Sequence, residues 1–321
     1  MRSPPDLDSD LVIDAMSSRW GVDVRRLDYL PLGAGSHHWS ADGDLRCFVT
    51  VDDLQLKVGS DFGDLGPVGE VLRGALGTAA ALRAVGHGYV VAPVPCQDGD
   101  VMHVIDGRYA LAVYPWISGD SYEWGDDLDR SWMSAIVDRL AELHSASTDQ
   151  FAGTAVEDFE LTGTRLIVPS SVEDWPDAGP LSRPGCQLLV LHREATLNRL
   201  AQFEELSASL RSDRMVVTHG EPHPGNTMLT TDGLVLIDWD TVKIAPPERD
   251  MWSIVDRDPT AEAAYLRCGG VELSRDVMDF YRLRWDLDDL CAYAHELAQP
   301  HATTPDSEHA LSQIERYLTD E

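Results

Sequence analysis

His219-Gly220-Glu221-Pro222-His223-Pro224-Gly225-Asn226, followed by Leu236-Ile237-Asp238-Trp239-Asp240, is the stretch from which the rest of the chain is read. It sets out a carboxylate (Glu221), an amide five residues on (Asn226) and a second carboxylate twelve beyond that (Asp238). Between Asn226 and Asp238, two apolar runs (227–230 and 234–237) flank an Asp232-Gly233 turn. That pattern predicts a β-hairpin, which returns the chain and sets Asp238 beside Asn226. An amide oxygen and a carboxylate brought together suit Mg²⁺, a hard cation that takes oxygen ligands and shares its shell with substrate phosphates.

The two motifs together resemble the signature of the aminoglycoside phosphotransferases, relatives of the protein kinases. That signature is His-Gly-Asp, four variable residues, Asn, and a later Ile-Asp-Trp-Asp/Glu segment. The chain matches it at His219, Gly220, Asn226, Ile237, Asp238 and Trp239, and departs from it at Glu221, where most of the family has Asp. The resemblance runs along nearly the whole chain but is specific only around residues 217–252. It implies a protein-kinase-like fold that uses ATP and Mg²⁺ to phosphorylate a hydroxyl of a small molecule. Glu221 takes the place of the base, and Asn226 and Asp238 that of the metal ligands.

Working outward, strand candidates cluster early and helix candidates late. This distribution predicts an α+β protein, with a small sheet-based lobe, a hinge and a mainly helical lobe. By the resemblance, residues 1–114 form the nucleotide-binding lobe and 115–321 the catalytic and substrate-binding lobe. An opening helix is read over 11–27 and a glycine-bearing turn over 29–36. Strands follow at 46–51, 90–95 and 109–114, with a helix at 68–85 between the first two. Glycines let backbone N–H groups approach phosphates, so Gly33, Gly35 and Ser36 are candidate nucleotide contacts. Tyr114 and Trp116, beside Pro115, fall where the family has the adenine-binding hinge; they either line that pocket or pack the core.

The family's strand lysine should fall within 48–51, yet Thr50 occupies its place. The chain has only two lysines, Lys57 and Lys243. Lys57 either reaches the phosphates from a shifted register or is a surface residue after an acidic turn at Asp52-Asp53. In the second half, helices are read over 132–144, 191–210 and 274–294, the last capped by Ser274. Residues 151–187 read as loop-rich.

Composition narrows the function classes. The 321 residues suit a two-lobed enzyme, and no uncharged apolar run is long enough to span a bilayer. With 55 acidic against 25 basic residues, formally −30, bulk electrostatics exclude nucleic acid and anionic membranes as partners. Such acidity either favours a cationic acceptor or is a solubility habit. Five scattered cysteines point to a reduced, cytoplasmic setting and to packing thiols. A monomer or homodimer is expected.

Glu221 reaches about 1.5 Å farther than an aspartate, so reach and not acidity separates the two. Asp240 either adds a metal contact or caps its segment, and Asp250 matches a family aspartate that braces the catalytic loop. Two prolines and a glycine between 222 and 225 rule out a helix, and with it a helical zinc site using His219 and His223. Asp279, Asp286, Asp288 and Asp289 either hold an amino-bearing acceptor or form a wet helix face. Three readings follow: an aminoglycoside or aminocyclitol kinase, a metabolic kinase of a sugar or amino alcohol, or a catalytically weak nucleotide-binding pseudokinase.

Overall fold

Five antiparallel strands build the first sheet: β1 (Val24–Leu30), β2 (His37–Gly43), β3 (Arg46–Asp53), β4 (His103–Ile105) and β5 (Tyr109–Pro115). Their spatial order is β1-β2-β3-β5-β4. The computed structural model describes residues 1, 3–33, 35–57, 65–126, 128–210 and 214–319. Tyr109 to Tyr114 are all buried, because β5 lies inside the sheet with both faces covered. On one face, Val12 and Met16 of α1 (Ser9–Ala15) and its continuation pack against Cys47, Val49 and Val51. On the other, Leu72 and Leu76 of α2 (Gly66–Ala84) cover Ala110, Ala112 and Tyr114.

Helix α2 also belongs to the second lobe. Its Ala75, Ala79 and Leu82 share a core with Ile136, Leu140 and Leu143 of α3 (Arg130–His144). Gly74 permits this: a Cβ there would lie 2.3 Å from the Gly153 carbonyl oxygen. One turn on, the Thr78 and Thr154 hydroxyls are 2.6 Å apart. The lobes are therefore joined by packing as well as by the chain after β5.

The second lobe contains the short strand β6 (Asp120–Ser121) and the helices α4 (Thr164–Ile167), α5 (Ser182–Leu191) and α6 (Arg193–Ser209). Then come β7 (Val216–Thr218), the hairpin β8 (Thr227–Thr230) and β9 (Gly233–Leu236), and β10 (Lys243–Ala245). Four helices close it: α7 (Glu248–Arg257), α8 (Thr260–Arg267), α9 (Arg275–Ala298) and α10 (Pro305–Thr319). Helix α9, 24 residues long, is the spine against which α4 to α7 and α10 pack. A small antiparallel-sheet lobe followed by a larger helical lobe is the kinase-like architecture.

Several elements differ from their sequence reading. The opening helix stops at Gly21, whose φ of +70° suits a residue without a Cβ, and β1 begins three residues later. Strand β2 gave no alternating signal because polar His37 and Ser40 are buried in it. Residues 90–95 form no strand: Pro93 and Pro95 have no N–H to donate to a ladder, so only isolated links remain, such as Val94 N–H to the Val113 carbonyl. The helix read over 191–210 is α6, and a further helix, α5, precedes it across His192, beginning inside the stretch read as loop-rich. Ser274 stands before α9 without a side-chain cap; its own N–H donates to Glu248 at 2.7 Å. Asp52 and Asp53 do not form a turn: they end β3 and are only 3% and 4% exposed.

Candidate active site

The hairpin register carries the site. Thr227 pairs with Leu236, and the Ile237 N–H donates to the Asn226 carbonyl at 3.0 Å. Asp238 is thus the first residue past the hairpin. It adopts φ +64°, the left-handed region that aspartate tolerates better than bulkier residues. Asn226 Nδ2 donates to the Glu221 carbonyl at 3.0 Å, which leaves the amide oxygen as the atom that could meet a cation. Trp239, fully buried, fixes the return by donating to the Leu236 carbonyl at 2.8 Å.

The loop after β7, residues 219–226, is held from below by Asp250 on α7, itself completely buried. Its carboxylate accepts the N–H groups of His219 (2.9 Å) and Gly220 (2.6 Å), and His144 Nε2 donates to it at 3.0 Å. Burial opposes the charge, but His144 outweighs it and holds the Asp250 carboxyl below its ordinary range. Gly220 has φ +102°, and a Cβ there would meet the Arg249 guanidinium at 2.5 Å, so the loop requires glycine. His219 Nε2 donates to the Ile237 carbonyl at 2.9 Å while its Nδ1 accepts from the Glu221 N–H at 3.3 Å. Buried and neutral, His219 is a brace between the loop and the hairpin.

Lys57 comes into the cleft from the end of β3. Its ammonium lies 2.8 Å from Asp240 and 2.9 Å from Asp52. Burial works against its charge, yet the two carboxylates hold its pKa well above the ordinary value. Ser36 also reaches in, donating to Asp52 at 2.7 Å. Gly33 and Gly35 have φ of +61° and +85° in the turn between β1 and β2. Tyr114 is buried in the core under α2, its hydroxyl facing the field of Asp52, Asp238 and Asp240. Trp116, half-buried past the hinge, carries the Arg46 guanidinium 3.6 Å above its ring.

Three acids share the cleft floor. Burial first, then Asp240 and Glu221, push the Asp238 carboxyl well above its usual range. Burial, then Asp240 and Asp289, lift Glu221 to about 7. Such crowding is what a divalent cation relieves. Among the described residues no three of His, Cys, Asp and Glu converge as a metal cage. A cation held by Asn226 and Asp238 therefore needs further oxygens from a ligand, which fits Mg²⁺ with a polyphosphate.

Beside Glu221 opens a pocket of ≈ 120 Å³, lined in part by Asp288, Asp289, Trp285, Trp252, Lys243 and Arg284. The late-helix acids thus divide. Asp288, paired with Arg284 at 3.1 Å, and Asp289, which accepts from the Tyr317 hydroxyl, line the pocket, whereas Asp279, paired with Arg282, and Asp286, paired with Arg199, do not. Trp285 stacks on Trp124 with centroids 5.2 Å apart and rings 19° from parallel. The sequence reading gave these tryptophans no part in the site, since only spacing and no motif marks them.

Glu157 is the other residue missed; it sits in a stretch read only as loop. Its side chain is fully buried among Arg284 (2.6 Å), Lys243 (3.6 Å) and Arg249 (4.0 Å). Burial would raise its pKa, but the three cations, led by Arg284, bring it down to about 2. A depressed folded-state pKa stabilises the fold above the unfolded value and loses that contribution as pH falls toward the folded one. Glu157 is expected to contribute about 3 kcal/mol at neutral pH, disappearing between about pH 4.5 and pH 2. Urea titrations of wild type and Glu157→Gln should show a stability gap that narrows over that acid range. A gap independent of pH would refute the ion cluster.

Residues 70–284 match the phosphotransferase enzyme family. The chain is 29% identical over 310 residues to protein StrN of Streptomyces griseus, covering 91% of this chain and 86% of that protein. Its fold is similar to that of a spectinomycin phosphotransferase bound to ADP and spectinomycin, with TM-score 0.69 and 14% identity, covering 97% of this chain and 95% of that one. A microcompartment-associated aminopropanol kinase gives TM-score 0.60 and 16% identity, with 97% and 95% covered. No helix among the described residues is long and apolar enough to cross a membrane.

Proposed function

Because the chain belongs to the phosphotransferase enzyme family, the aminoglycoside phosphotransferases, and is a small-molecule phosphotransferase, we propose that it moves the γ-phosphoryl group of ATP to a hydroxyl of an aminocyclitol or aminoglycoside. The observation carrying this reading is that Glu221 belongs to the pocket lined by Arg249 and Asp289 and is also acted on by the charges of the Lys57–Asp240 pair. A carboxylate between a nucleotide-side cluster and an acceptor pocket suits a group that orients a hydroxyl and takes its proton.

Asn226 and Asp238 would hold Mg²⁺, which when bound neutralises phosphate charge in a loose transition state. Lys57, Ser36 and the backbone at Gly33 and Gly35 would bind the nucleotide phosphates, with Tyr114 and Trp116 near the base. Residues 1–114 would then form the nucleotide lobe and 115–321 the catalytic lobe. Asp288 and Asp289, with Trp252 and Trp285, offer an acidic and aromatic wall to an amino-bearing ring. A cytoplasmic monomer or homodimer acting in antibiotic modification is consistent with this chemistry.

A phosphorylation screen tests it: ATP-dependent transfer to spectinomycin-type aminocyclitols is expected. Turnover confined to simple amino alcohols or sugars would replace this acceptor class with a metabolic one. Within the same assay, Glu221→Ala should lower kcat about 100-fold, the low end for a general base in this loose chemistry. Glu221→Asp should fall about 10- to 100-fold, since it retracts the carboxylate by about 1.5 Å. A faster aspartate variant would mean the native side chain overreaches.

A further inference from the structure

The two lysines of this chain both stand at the site, and both have side chains 24% exposed, yet they are partnered differently. Lys57 is clamped by two carboxylates at 2.8 and 2.9 Å. Lys243, on β10, finds only Glu157 at 3.6 Å, and that same oxygen already accepts Arg284 at 2.6 Å. The neighbouring guanidiniums are committed to the protein. Arg249 donates to Thr218 Oγ1 and the Thr241 carbonyl; Arg284 donates to Glu157, Asp288 and the Glu160 carbonyl. Three cations thus surround one fully buried carboxylate, and among the described residues Lys243 is the one whose ammonium makes no hydrogen bond. Burial, together with Arg284 and Arg249, presses its pKa down, the opposite of what befalls Lys57.

Lys243 lines the same pocket as Glu221, Asp288 and Asp289. The charges that bear on it are Glu157, Arg284, Arg249 and Asp158, whereas the nucleotide-side cluster of Lys57, Asp238 and Asp240 is held together separately. It therefore belongs to the acceptor side. We propose that Lys243 binds an anionic substituent, a phosphate or carboxylate, on the acceptor, so that an aminocyclitol bearing such a group beside its amine is preferred over a purely cationic one. Its ammonium end would face Asp288 and Asp289, its anionic end Lys243, and the hydroxyl between them Glu221. A compact ammonium on a flexible stem suits a tetrahedral or carboxylate anion of variable position.

This proposal rests on the phosphotransferase reading, and its test is chosen to fail independently of it. Inorganic phosphate is titrated into the full chain with Mg-ADP present, so that nucleotide-phosphate positions are filled, and tryptophan fluorescence from Trp252 and Trp285 is followed. Saturable binding is expected in wild type, weakened at least tenfold in Lys243→Met and in Lys243→Gln, and kept within about threefold by Lys243→Arg. The affinity for Mg-AMP-PNP should be the same in all four proteins. No saturable phosphate binding in wild type, or equal affinity in the folded Met and Gln variants, overturns the proposal. So does a parallel loss of nucleotide affinity, which would make Lys243 a γ-phosphate ligand instead. ATP-dependent transfer, measured separately on wild type, reports on the underlying activity whatever the titration shows.

Discussion

Asp238→Asn is expected to cut ATP-dependent transfer by about three orders of magnitude, roughly 4 kcal/mol of transition-state stabilisation, while leaving the fold intact. Asparagine keeps the size of the side chain and tolerates the φ of +64° that Asp238 adopts. What it removes is the negative charge at the hairpin exit, on which the proposed cation site depends. It also removes a charge from a crowded group: after burial, Asp240 and Glu221 push the Asp238 carboxyl up, and Asp240 likewise pushes up Glu221. The thermal midpoint of the ligand-free variant should therefore be unchanged or slightly higher, as when a functional site gives up repulsion that only its ligand offsets. Steady-state kinetics and a thermal melt check both halves. Full activity in the asparagine variant would remove Asp238 from metal binding.

Asp250→Ala should damage stability and activity together. The carboxylate accepts three hydrogen bonds in a site without solvent, from the backbone of His219 and Gly220 and from His144. Alanine leaves two buried N–H groups and one imidazole unpaired, at about 1–3 kcal/mol each, for a loss of roughly 3–5 kcal/mol after partial relaxation. Because Glu221 follows Gly220 directly, the proposed base should lose its position even in the folded fraction. kcat is expected to fall at least tenfold at temperatures well below the melt. Asp250→Asn keeps one acceptor oxygen but turns an N–H₂ toward donors, so it should be intermediate. Denaturation midpoints and kcat measured on the same samples separate the two effects. Normal kcat in a destabilised Asp250→Ala would limit Asp250 to holding the fold.

These two residues mark how much of the site was legible. Asp238 and Asn226 could be paired from the sequence because a hairpin is local: an Asp-Gly turn between apolar runs fixes a register, and the register fixes which residues return together. Asp250 was recognisable only through the family resemblance, since nothing in its own neighbourhood says that it accepts the N–H groups of residues 30 and 31 positions earlier. Strand β2 was missed because polar His37 and Ser40 are buried in it beside Trp39 and Ala41, and Glu157 because a buried acid in an irregular segment leaves no periodic trace.

Lys57 is the clearest intermediate case. Counting lysines left it one of two possible cations for the nucleotide, but its choice between surface and cleft was open. Two carboxylates decided it, one ending a strand and one 183 residues away. Lys243 was the other of those two lysines and received no further role from the sequence. The role proposed for it comes from what other segments do: Glu157 is already occupied by Arg284, and Arg249 is spent on Thr218 and the Thr241 carbonyl.

By itself, the sequence determined the hairpin, the order of base and metal candidates, and the succession of a sheet-rich half and a helical half. Each of these follows from backbone preferences and side-chain periodicity over a few tens of residues. The tertiary structure decided the charge state and availability of each group. A carboxylate's pKa or an ammonium's freedom depends on burial and on partners within about 4 Å, and those partners come from distant parts of the chain.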